Sequence, residues 1–221
     1  MIAAALLLAL AGVPVLTGVG EVATMTDDQG QQAAPAPADA PPLERLIVIV
    51  RPTDYLFDNA PSGSSVGSVP PTRPLAGDLS WFLALDDEHT IRLVGRDDLA
   101  GWHLDEDAAW ARAIANVKTR VGPLRPTRLG SAEGVHGFGA PTGLAPSMLA
   151  DPEQCGTGQA MEGQLVLVYD RDLYLVANAS DPADAKRFWS MVAEEVAAKR
   201  SLSHTVLTCR AGKWEAVAPP R

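Results

Sequence analysis

The chain has 221 residues, 47% apolar and 20% charged, with 27 acidic against 18 basic side chains and a net charge of −9. Those proportions exclude a wholly disordered chain, and the length fits one domain or one domain with tails. An acidic chain without a basic run neither releases counterions from a phosphate backbone nor docks on anionic lipid by charge, which excludes nucleic acid as a main ligand.

Residues 1–24 read as an apolar signal or anchor. Met1 to Gly20 carries no charged side chain, and the first is Glu21. Three assignments fit. One is a secretory signal, with small residues such as Gly18 and Gly20 near a cleavage point. Another is an uncleaved anchor, since about 20 apolar residues span a bilayer, although the alanines and glycines make insertion marginal. The third is a run outside the protein proper, if translation starts at Met25. A signal normally carries Lys or Arg ahead of its apolar run, and here none occurs before Arg45. The expectation is export or membrane anchoring on the periplasmic side; a start at Met25 makes the domain cytoplasmic. Residues 25–42 read as a disordered linker: Asp27 to Pro42 is acidic, then Gln-rich, then Ala- and Pro-rich, with no large apolar residue to bury.

Residues 43–221 read as a single domain. Leu46 to Val50 is a continuous β-branched run and predicts a strand buried on both faces, ended by Arg51-Pro52. Asp58 to Gly77 reads as loop, with Pro70, Pro71 and Pro74 in it, and part of it is expected to be mobile. Ser80–Leu85 and Thr90–Val94 predict a hairpin around the polar turn Asp86 to His89. Asp105 then caps a helix in which Trp110, Ile114, Val117 and Val121 share one face, stopped by Gly122-Pro123. The Gly- and Pro-rich stretch 123–163 contains a short strand at Val135–Phe138 and a helical turn at Pro146–Leu149. The clearest hairpin joins Gln164–Tyr169 to Leu173–Ala177. Asp181 and Pro182 open a second helix with Ala185, Phe188, Val192 and Val196 on one face. Thr205–Thr208 and Trp214–Val217 form a last hairpin around Ala211-Gly212. Hairpins favour antiparallel pairing, so the fold class is α+β, a mainly antiparallel sheet with two principal helices on one face.

Chemistry is sparsely marked. His89, His103, His136 and His204 include no pair at i+3 or i+4, so no helical metal pair exists. His103, beside a helix start, reads as a packing residue; a general base needs an orienting partner that the sequence does not supply. Asp86, Asp87 and Glu88 lack the spacing and central glycine of a calcium loop and read as a solvated hairpin tip. Asp97 and Asp98 read as loop or capping residues, and Asp170 and Asp172 as turn residues. The glycines from Gly137 to Gly143, and Gly156 with Gly158, resemble phosphate loops. Pro141 disrupts the first set and a strand follows the second, where a helix is required. No catalytic, cofactor-binding or metal-ligating residue is assigned.

Two cysteines are too few for a disulfide scaffold or a four-thiolate zinc site. Export would let Cys155 and Cys209 pair, closing a loop worth about 4 kcal/mol in the chain-entropy model. In a cytosolic protein both would be reduced.

Several short motifs run through the domain: Val50-Arg51-Pro52, Leu75 to Leu79, Asp97 to Leu104 with Ala113 to Asn116, and the Gly163 to Leu173 hairpin with its following helix. Together they resemble the YtpQ-like bacterial domain family of unknown function. The resemblance covers most of 46–217 and implies no activity. The functional expectation is a non-catalytic binding or accessory module, exported or tethered, that meets an unknown protein or small-molecule partner through its loops. The rival is a hydrolase or metal-dependent enzyme that assembles His103, His136 and acidic residues in space; convergence of these groups in one cleft would favour it.

Overall fold

A run of five large apolar residues has nowhere to lie but inside, and Leu46 to Val50 are each at most 2% exposed. The computed structural model describes residues 43–56, 69–87, 90–128, 133–156 and 160–220, all within the compact unit Asp39–Arg221. The signal, anchor and linker assignments for 1–42, most of the 58–77 loop and Glu88-His89 lie outside them.

A 3-10 turn at Leu43–Arg45 leads into β1 (Leu46–Pro52), β2 (Thr72–Ala76), β3 (Leu79–Asp86) and β4 (Ile91–Leu93). Helices α1 (Arg96–Gly101) and α2 (Glu106–Val121) follow, then β5 (Thr127–Arg128), β6 (Val135–Gly139) and a 3-10 helix at Ala145–Ala150. The chain ends with β7 (Gln164–Val168), β8 (Leu173–Asn178), α3 (Pro182–Ala197), β9 (Val206–Arg210) and β10 (Lys213–Val217).

The class is α+β, with antiparallel ladders throughout. The strands divide between two sheets. In the first, β1 pairs along its whole length with Leu79–Leu85 of β3, while β2 and β4 share the other edge of β3, β2 against Leu79–Phe82 and β4 against Ala84–Asp86. The second sheet has the order β10-β9-β7-β8-β6-β5. Each principal helix covers its own sheet. Trp110, Ala113 and Val117 of α2 bury against β1 and β3, and Phe188 and Val192 of α3 bury against the second sheet. Hairpin signals specify which strands are neighbours, not which hairpins join, so the division into two sheets lies beyond local pattern.

The alternation along β7 and β8 sorts residues by face. Leu165, Leu167, Leu175 and Ala177 meet α3, while Val166, Val168, Tyr174 and Val176 face the opposite cluster with Leu75, Leu79 and Leu149. The 3-10 helix, buried at all six positions, contributes to this cluster and to the one under α2. Removing Phe188 from water contributes about 2 kcal/mol.

Both helix starts form as the sequence dictates. Asp105 Oδ1 accepts from the amides of Asp107 (2.9 Å) and Ala108 (3.1 Å), and Asp181 Oδ1 accepts from those of Ala183 (2.8 Å) and Asp184 (3.2 Å). The turn between β9 and β10 has positive φ at both Ala211 and Gly212 (47° and 75°), the conformation a two-residue hairpin favours.

Three elements differ from expectation. Strand β2 occupies part of the expected loop; its Pro74 sits at a register shift, where a missing amide costs no ladder bond. Helix α1 forms at Arg96–Gly101, and Asp98 serves in its first turn by accepting from Gly95 N at 2.8 Å. Strand β5, two residues long, pairs with β6 at Gly137 and His136.

Candidate functional site

A cleft of about 300 Å³ opens where β1, β4, the loop after β6 and the β7–β8 turn meet. Ile49 and Arg51 of β1 line it with Ile91, the segment Ala140–Leu144, Ser147, Arg171 and Asp172.

Arg51 follows the buried run directly, so its cation is delivered to the end of the sheet. Its Nη1 donates to Val50 O at 2.7 Å, and its guanidinium lies 5.7 Å from the centroid of the Tyr55 ring. Among the described residues no carboxylate forms an ion pair with it. Burial holds its pKa below the ordinary guanidinium value; the charge and hydrogen bond of Tyr55 oppose that shift, and the nearby Arg171 cation adds to it. An arginine so placed keeps its proton and carries an incompletely compensated charge.

Arg171 projects from the β7–β8 turn. Asp170 shapes that turn, its Oδ1 accepting from Asp172 N at 2.7 Å, as turn chemistry predicts. Asp172 also faces the cleft, 3.5 Å from Arg171 Nε. Gly143 has φ +69°, and a Cβ there would lie 2.8 Å from Asp172 Oδ1, so glycine lets the loop approach the turn. The cleft therefore presents two guanidinium groups and one carboxylate beside an apolar floor.

The structure does not bring the histidines to this cleft. His103 is exposed behind α1 with φ 53°, His136 is half-buried on β6 opposite Val176, and His204 is exposed. His89 lies outside the described residues. Among those residues no group of three or more His, Cys, Asp or Glu side chains could hold a metal ion. The acids of the β3–β4 turn are not simply solvated. Asp86 pairs with Arg120 of α2 at 2.5 Å and Asp87 with Arg45, which ties the hairpin to α2 and to the first turn.

Cys155 and Cys209 form a disulfide with a Cα–Cα distance of 5.6 Å, joining the segment after the 3-10 helix to β9. No helix among the described residues is long and apolar enough to cross a membrane.

Sequence reasoning reads Arg51 as the end of a strand and Arg171 as the middle of a turn; neither stands out alone. The available signal is positional. A charged residue directly after a fully buried run, near the end of its strand, emerges at the sheet's end, where clefts form. No protein family, curated protein or solved structure matches the chain.

Proposed function

We propose that this chain is a non-catalytic binding module, exported or membrane-tethered, that takes an anionic group of its partner into the Arg51–Arg171 cleft. The observation that carries the reading is the pair of guanidinium groups in one concave site with only Asp172 to balance them. A partly buried cation without a matched anion is costly, and an incoming carboxylate or phosphate supplies planar acceptors that a guanidinium fork matches. The loops that line the cleft are the partner-binding loops of this reading.

Export is supported by the Cys155–Cys209 bond, because disulfides persist in oxidising compartments. An Ala/Pro-rich segment before the domain suits a spacer. The YtpQ-like resemblance belongs to the same proposal and supplies no activity to it.

Calorimetric titration of the full chain with citrate, a compact polycarboxylate, tests the binding. Saturable binding that Arg51→Gln and Arg171→Gln each weaken is the expected result; wild type without binding rejects it. Intact mass of protein from its native source tests the compartment: a start after about Gly20 and a mass two hydrogens below the reduced form are expected for a cleaved signal, and a start at Met25 with free thiols removes export.

A further inference from the structure

A second cleft, of about 410 Å³, lies between the end of α2, β6, β8 and the segment after the 3-10 helix. We infer that it binds a small, uncharged aromatic molecule that presents a hydrogen-bond acceptor to the Tyr174 hydroxyl.

Two aromatic rings line the cleft beside its polar rim. Phe138 and Tyr174, cross-strand neighbours on β6 and β8, stack with centroids 5.2 Å apart and planes within 9°. Met148 and Met161 flank them in the cleft lining; their flexible thioethers adapt to a ring's outline and make favourable contacts with it.

Tyr174 supplies the specific group. It is 1% exposed, it lines the cleft, and its hydroxyl has no hydrogen-bond partner among the described residues. Burial alone pushes its pKa well above the ordinary phenol value, so it remains a donor at every physiological pH. The hydroxyl is not one of the fully enclosed unpartnered atoms; it opens to the cleft and takes its partner from whatever fills it, and a carbonyl-type acceptor on a bound ring would meet it.

The rim selects against anions. Lys118 Nζ lies 3.0 Å from Asp151 Oδ2 and 3.1 Å from Glu153 Oε2, and hydrogen bonds from these two carboxylates raise its pKa. Two acids face one ammonium, and Asp151 is itself buried. A carboxylate or phosphate entering here meets net negative charge, the opposite of the Arg51–Arg171 cleft. The two sites thus take different chemistry, and failure of one does not bear on the other.

The test is an NMR titration of the full chain, with methyl-labelled methionine, by benzamide and by benzoate. Of the five methionines, Met148 and Met161 line the cleft, while Met191 lies on α3 and reports on any non-specific effect. Benzamide is expected to shift the Met148 and Met161 methyls saturably and leave Met191 unmoved. Tyr174→Phe keeps the stacked ring and removes only the donor; it should weaken benzamide by about tenfold. Benzoate should bind at least about tenfold more weakly than benzamide. Absence of a saturable shift, equal affinity in Tyr174→Phe, or benzoate binding as tightly as benzamide overturns the proposal. If Tyr174→Phe does not fold, Glu153→Lys replaces it: this side chain is 66% exposed, and the substitution should erode the preference for benzamide over benzoate. An unchanged preference is again a refutation.

Discussion

Asp78 and Thr205 hold each other across the two sheets. The Asp78 amide donates to Thr205 Oγ1 at 3.2 Å, and the same hydroxyl donates to Asp78 Oδ1. Asp78 lies in the β2–β3 turn and Thr205 just before β9, so the pair fastens the first sheet to the second. Ser203 Oγ also donates to Asp78 Oδ1, and both Ser203 and the turn are thereby fixed. Thr205→Val keeps the shape and removes the hydroxyl. It should destabilise the domain by about 2 kcal/mol, since a hydrogen bond to a charged group is lost; urea denaturation reads this as a lower midpoint with unchanged slope.

Gly77 precedes that pair and has φ +59°, and a Cβ there would collide with the Thr205 side chain. Strain and steric conflict act together, so Gly77→Ala should cost about 1–3 kcal/mol. Combining Gly77→Ala with Thr205→Ser relieves part of the collision and should recover part of the loss. Equal stability of Gly77→Ala and wild type would remove the turn from the account.

Glu195 offers a test by pH. Its carboxylate takes a bidentate contact from Arg200, Nε at 2.7 Å and Nη2 at 2.8 Å, and a hydrogen bond from Tyr169 Oη at 2.9 Å. The Arg200 guanidinium chiefly, then the Tyr169 hydroxyl, lower its pKa from 4.5 to about 2. A carboxylate whose pKa is depressed by folding stabilises the folded state above its unfolded value and loses that contribution as pH falls through its folded one. Wild type should therefore exceed Glu195→Gln in Tm at neutral pH, with the gap narrowing below about pH 4.5 and closing near pH 2. Arg200 is largely exposed, so salt should shrink the gap as well. A gap independent of pH would show that Glu195 acts without its charge.

The disulfide joins residues 54 apart in sequence, and the chain-entropy model gives such a closure about 4 kcal/mol. The double variant Cys155→Ser, Cys209→Ser should lose a large part of that, and reductant should lower the wild-type urea midpoint but leave the double variant's unchanged. An identical wild-type midpoint with and without reductant would contradict a bond that constrains the unfolded chain.

Local signals made much of the fold legible. The Asp105 and Asp181-Pro182 helix starts, the 164–178 hairpin and the Ala211-Gly212 turn all rest on neighbours within a few residues, and each forms. Strand β2 was hidden because proline normally argues against a strand, and only the register shift beside Pro74 admits it. Helix α1 has six residues and buries only Leu99, too short for a period to show. The Arg51–Arg171 cleft was illegible for a different reason. Its two cations come from β1 and the β7–β8 turn, far apart in the sequence, and only the pairing of distant strands brings them to one site. The same holds for Phe138 and Tyr174, whose stacking depends on β6 lying beside β8.

The most direct test of the binding reading is a crystal structure of the protein grown or soaked in saturating citrate, beside that of Arg51→Gln. Citrate carboxylates seated against the guanidinium groups of Arg51 and Arg171, and missing from the variant, are what the account predicts. Citrate bound elsewhere, or a wild-type cleft holding only water at saturation, would contradict it.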